Sequence, residues 1–200
     1  MKKRHALSIL MILITLVSFS QIDYGANLGI NSSRFSNKFN TIGGEYLNTS
    51  SLGLSIGIFA EIPLSDKISF YPKLLFNQMG DRDKSDIDYL VLDSVDYKLD
   101  YISIPLNFKF FNKPYLFIGP QLGLLVSYKA ESMDIGKPNS SFDFGGNFGT
   151  GYAFNDFRLE LAIYQSIIDV LKAENTYGGK KLNIRNTYIN FNFSYIISNR

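Results

Sequence analysis

The stretch SLGLSIGIFAEI, Ser51 to Ile62, decides the fold. Its even positions are Leu52, Leu54, Ile56, Ile58, Ala60 and Ile62, and its odd positions are Gly53, Ser55, Gly57, Phe59 and Glu61. A period of two with one apolar face and one small or charged face is a β-strand, because successive side chains of a strand leave opposite faces. The same split recurs along the chain. Ala26, Leu28 and Ile30 oppose Gly25, Asn27 and Gly29; Ile68, Phe70, Leu74 and Phe76 oppose Ser69, Tyr71, Lys73 and Asn77. Further segments follow at Tyr101 to Phe110, Tyr115 to Lys129, Phe142 to Phe154, Phe157 to Ser166 and Thr187 to Ile197, which brings the expected strands to eight. Short connections, Pro63 to Lys67, Asn112 to Pro114 and Asn155-Asp156, alternate with long ones, Ser32 to Ser50, Gly80 to Asp96, Ala130 to Ser140 and Ile167 to Asn183.

Volume decides which face points inward. An eight-stranded barrel has room inside only for side chains. Roughly three dozen large apolar residues would not fit such a lumen, whereas Gly, Ser, Asn and a few long polar chains would. The apolar face therefore points out, into lipid, since water does not tolerate an apolar patch of that size. The expectation is an all-β chain, an eight-stranded antiparallel up-and-down transmembrane barrel with short turns at one end and long loops at the other. The alternative is a soluble lipocalin-like lipid carrier, which would need its apolar face inward.

Composition narrows the chemistry. The chain has 200 residues, 20 Lys+Arg against 18 Asp+Glu, no Cys, no Trp and a single His. Lys2, Lys3 and Arg4 precede an apolar run from Ala6 to Phe19, with Ser18 and Ser20 ahead of Gln21, which reads as a signal peptide over residues 1–20, cleaved after Ser20, before a barrel domain over 21–200. Removing it takes away His5 and three positive charges, leaving 17 basic against 18 acidic groups. A chain without His or Cys builds no Ser-His-Asp triad, no Cys-His pair and no His-ligated metal site. No catalytic, cofactor or metal residue is expected, and the near-neutral charge gives no reason to expect nucleic acid.

The resemblance to known proteins rests on FAEIPLSDKISFYPKLLFNQMG (Phe59 to Gly80), LDYISIPLNFKFF (Leu99 to Phe111), YLFIGPQLGLLVS (Tyr115 to Ser127) and FDFGGNFGTGYAF (Phe142 to Phe154). These segments resemble the PorT-like outer-membrane β-barrel family of Bacteroidota. The resemblance implies an outer-membrane location and an eight-stranded barrel. It implies no single activity, because the family is functionally mixed: the name-giving member is linked to secretion and most relatives lack an assigned role.

Seven charged residues share the inward parity of their strands: Glu61, Lys73, Lys109, Lys129, Asp143, Arg158 and Glu160. Enclosed charges need partners, so they are expected to form a structural ion network. A proton path, an ion path or a catalytic carboxylate such as Glu160 is the competing reading. The stretch Gly80 to Asp100 holds seven aspartates, but a calcium loop counted from Asp81 finds Asp86 where glycine is needed and Leu92 where a bidentate acid is needed. It reads as a solvated loop. The expected role is that of a non-enzymatic outer-membrane protein without a cofactor, with structural, adhesive or secretion-accessory duties. Its expected partners are membrane lipid and, through four long extracellular loops, another protein; it is expected to be a monomer. An enzyme or a channel using the interior carboxylates is the rival class.

Overall fold

The computed structural model describes residues 22–37, 51–82, 96–131, 138–174 and 181–198. The expected signal peptide and most of the aspartate-rich stretch expected to be a solvated loop lie outside these residues. The strands are β1 (Asp23–Asn37), β2 (Ser51–Ser65), β3 (Ile68–Arg82), β4 (Asp96–Phe110), β5 (Tyr115–Glu131), β6 (Phe142–Phe154), β7 (Phe157–Ser166), β8 (Leu171–Glu174) and β9 (Lys181–Ile196). Each of β1 to β6 pairs antiparallel with the next, β7 pairs with β9, and β9 returns to β1, which closes an eight-stranded barrel. The short β8 pairs with the upper end of β9 and adds no stave.

The ladder fixes the barrel's dimensions. From Tyr115 the directly paired residues run through Gly151, Glu160, Asn192, Gly29, Ser55, Asn77 and Tyr101 back to Leu125, ten residues further along β5. That stagger over eight strands, at ordinary strand rise and spacing, tilts the strands by about 40° and sets the backbone radius near roughly 8 Å.

The two faces separate as the alternation requires. Leu28, Ile56, Ile58, Ile118, Phe148, Leu161 and Phe191 are exposed on the outside, and Asn27, Ser55, Asn77, Ser103, Asn107 and Asn190 are buried inside. This overturns the soluble-carrier alternative, since a carrier keeps its apolar face for the ligand. Tight turns close one end. Asn155, with φ of 50°, takes the left-handed conformation that a two-residue hairpin demands, and Asn tolerates it better than most residues.

At the other end the strands outrun the sequence reading. β3 and β4 stay paired up to Arg82 and Asp96, β4 and β5 up to Asp96 and Glu131, and β1 and β9 up to Asn37 and Ile184. Within the stretch expected to be the loop Ile167 to Asn183, the chain instead turns inward at Val170, which is fully buried, and then forms β8. Ile167, Ile168, Val170 and Leu171 are all apolar and do not alternate, so the sequence does not mark Val170 as the one that plugs the mouth.

Two inward glycines of β6 make room for aromatic rings. A Cβ on Gly151 would meet the Tyr115 ring at 2.4 Å, and one on Gly149 would meet Phe117 at 2.3 Å. Both crowding rings come from the adjacent β5.

Candidate functional site: the charged lumen

The end bearing the tight turns holds a compact set of ions. Glu61 on β2 receives Lys109 Nζ of β4 on both carboxylate oxygens, at 2.8 and 2.9 Å. Its Oε2 also faces Arg158 Nη1 of β7 at 2.7 Å. Arg158 Nη2 reaches Asp23 of β1 at 3.7 Å. Beside this triad, Lys73 of β3 donates to Glu160 of β7, and Tyr115 donates its hydroxyl to the other Glu160 oxygen at 2.8 Å. All of these ions but Asp23 are buried, and Asp23 is largely so.

Aromatic rings hold the cations in register. Arg158 lies 4.8 Å from the Phe59 ring centre, Lys73 lies 4.8 Å from Tyr71, and Lys109 lies 4.4 Å from Tyr115. Ring faces carry negative quadrupole, so each cation meets favourable potential on the sides its carboxylate leaves open. Three cations, Lys73, Lys109 and Arg158, face three carboxylates, Asp23, Glu61 and Glu160, and the cluster is neutral.

Two of the expected seven residues lie elsewhere. Asp143 is buried at the opposite end, where it accepts from Ser166 Oγ and from Asn186 Nδ2 at 2.9 Å and has no cation within ion-pair distance among the described residues. Lys129 is exposed on the outside. Its parity is reversed by a bulge: Tyr101 pairs with Leu125 but Asp100 pairs with Ser127, so Val126 is an extra residue on β5. Beyond the bulge every side chain changes face. Leu125, just before the bulge, keeps the inward parity of Gln121 and Gly123 and packs against Tyr101 and its neighbours, while Lys129, beyond it, lies opposite the outward Lys98. The run Leu124-Leu125-Val126, which breaks the alternation, is the signal that marks the bulge. Lys129→Ala should therefore change the unfolding free energy by under about 0.5 kcal/mol, in urea titrations of the refolded barrel. A larger loss would put Lys129 back in the lumen. Asp23, which the sequence reading missed, shares the odd parity of Gly25, Asn27 and Gly29.

The mouth at the long-loop end is closed by Met79, Leu99, Tyr101, Tyr164, Val170 and Tyr188, with Leu125 packed on them. Tyr164 and Tyr188 stack at 5.0 Å, and Tyr188 donates to Gln121 at 2.9 Å. Ser166 ties this lid down: its hydroxyl donates to Asp143 and accepts from the Ile168 N–H at 3.1 Å, at the start of the inward turn. Asn139 N–H then donates to the Val170 carbonyl at 2.7 Å. Among the described residues no group of three or more acids is arranged to hold a metal ion.

A neutral ion cluster inside eight closed staves, with an apolar exterior, is a membrane barrel's interior. The family profile described as outer membrane protein beta-barrel domain matches residues 18–172. The chain belongs to that family. This outer-membrane barrel is similar in fold to the crystal structure of Neisserial surface protein A, at 14% identity and a TM-score of 0.54, covering 86% of this chain and 96% of that one. A weaker likeness is to Ail, the attachment invasion locus protein of Yersinia pestis, at 15% identity and a TM-score of 0.48, covering 88% and 99%. No curated protein matches the sequence. The outer-membrane barrel thus resides in the outer membrane, with its apolar belt in lipid.

Proposed function

We propose that this outer-membrane barrel is a PorT-like protein of the Bacteroidota type that acts through the loops it carries, in a structural, adhesive or secretion-accessory role, with no catalysis and no open pore. One observation carries the reading: the lumen is filled at both ends, by the ion cluster at one and by Val170 and its tyrosines at the other. What remains available to a partner is the long-loop end, where paired strands rise past the starts of β2 and β6. Residues 21–200 contain no histidine, and Glu61 and Glu160 are already engaged by Lys109, Arg158, Lys73 and Tyr115, which supports a structural rather than a catalytic use of them. Lipid and one envelope or extracellular protein are the partners of this reading, and the barrel works as a monomer.

Purified barrel in planar bilayers should give no conductance steps. An epitope inserted between β3 and β4 should be reached by antibody on intact cells. Stable conductance would return the channel reading, and an epitope reached only after lysis would remove the loop-presenting one.

A further inference from the structure

The lipid-facing wall has a dent that nothing inside the barrel explains. At every other glycine of β1, β2, β5 and β6 an added Cβ would stand 3.2 Å or less from another atom, so those glycines make room for neighbours. At Gly146 it would meet nothing within 4 Å. Gly146 is exposed on the outer face of β6 between Phe144 and Phe148, beside the exposed Pro120 of β5 with which it is paired. Lipid would accept any apolar side chain there, and glycine weakens a strand. A strand glycine with open space above it marks a place where something outside the strand comes close.

The dent opens onto a row of residues that leads to the membrane surface. Gly146 is paired with Gln165 of β7, Gln165 with Thr187 of β9, and Thr187 with Arg34 of β1. Because the ladder gains ten residues along β5 in one circuit, each step in this direction climbs toward the long-loop end, by about 3 Å at a strand spacing of about 4.8 Å. Arg34 therefore stands about 9 Å above Gly146. Polarity changes with height: proline and glycine lie in the apolar belt, the Gln165 amide and the Thr187 hydroxyl bond each other at 2.7 Å at the rim, and a guanidinium follows. Arg34 is exposed and has no ion pair among the described residues, since Asp169, on the same rim, is taken by Arg185 at 2.8 Å.

We propose that this face of β6, β7, β9 and β1 is a binding site for one lipid of the leaflet on the long-loop side, its headgroup phosphate on Arg34 and an acyl chain in the Gly146 notch. Charge selects the head. A planar guanidinium binds two phosphate oxygens at once, and the row from Gly146 to Arg34 offers no carboxylate to a cationic headgroup. Shape selects the chain, since the notch is flanked by two phenylalanines and a proline. The opposite rim differs. Lys98 of β4 and Lys129 of β5 are exposed and paired, but Asp100 stands two residues below Lys98 on the same face, where it repels a phosphate.

A barrel that keeps no lipid still presents its loops, so failure here leaves the proposed role standing. Purified barrel taken into the gas phase for mass measurement, from micelles holding equal amounts of phosphatidylglycerol and phosphatidylcholine, should retain one phosphatidylglycerol. Arg34→Gln should lower the ratio of retained phosphatidylglycerol to phosphatidylcholine about fivefold, the worth of one basic residue at an anionic surface, whereas Lys98→Gln should leave the ratio unchanged. Gly146→Leu fills the notch from a Cβ that meets no atom of the chain, so it should fold as the wild type does, shown by faster migration of the unboiled protein on a denaturing gel, and should lose most of both lipids. Added inorganic phosphate should not displace the lipid, because the chain contributes to its binding. A wild-type barrel without retained lipid, a ratio that Arg34→Gln does not move, retention unchanged in Gly146→Leu, or displacement by inorganic phosphate would each overturn the proposal. So would a doubled mass that disappears in Gly146→Leu, which would place a second copy of the chain in the notch.

Discussion

Glu61→Ala should destabilise the folded barrel by about 3 to 5 kcal/mol, measured by urea unfolding in lipid bilayers. The size follows from what the carboxylate holds. Lys109 bonds both of its oxygens and Arg158 meets one of them at 2.7 Å, so its removal leaves two buried cations facing each other with only Asp23, 3.7 Å from Arg158, as a distant counterion. Breaking a buried ion group by deleting one partner is far worse than never having built it. Replacing Asp23, Glu61, Lys109 and Arg158 together with Asn, Leu, Met and Met should therefore recover most of the loss, because two carboxylates and two cations leave together. Glu160→Gln should lower stability in the same direction: it keeps an acceptor for Tyr115 but leaves Lys73 without its carboxylate. A loss under about 1 kcal/mol for Glu61→Ala would mean that water reaches the cluster and screens it. Unchanged stability for Glu160→Gln with a lost transport activity would make Glu160 functional instead.

How far the sequence carries is visible in this same cluster. Glu61, Lys73, Lys109, Arg158 and Glu160 could be gathered from parity alone, because a regular strand sends every second side chain to one face. Parity says nothing of which carboxylate meets which cation; that depends on the ten-residue stagger, which brings β2 Glu61 between β4 Lys109 and β7 Arg158 although their strands are not neighbours. It fails outright where a strand gains a residue. Val126 does this to β5, and Lys129 moves outside as a result. Val170 was illegible for a different reason: Ile167, Ile168, Val170 and Leu171 are all apolar and show no alternation, so nothing in the sequence marks which of them turns inward, and only the mouth it fills, lined by Leu99, Tyr101 and Tyr164, explains its burial. The outward face, by contrast, was readable throughout, since lipid accepts any apolar side chain and imposes no pairing on it.

Leu161→Arg should cost about 2 to 4 kcal/mol, while Leu52→Arg should cost about 0 to 1 kcal/mol, in the same unfolding assay. In water the order would be hard to justify. Both side chains point outward and both are exposed, Leu52 at 76% and Leu161 at 48%, and a soluble protein would accept a charge at either with little loss. The membrane separates them by depth. On β7 the outward residues run from Phe157, at the tight turn, through Leu159, Leu161 and Ile163 to Gln165, whose amide accepts from Thr187 at 2.7 Å and marks the polar rim. Leu161 lies midway, where an arginine cannot bring its guanidinium to either surface without deforming the bilayer. Leu52 is the second residue of β2, paired with Ser32 at the level where β1 turns polar, and an arginine there can reach lipid headgroups. Equal tolerance at the two positions would mean that the apolar belt is not centred on Leu161, or that the exterior does not face lipid at all.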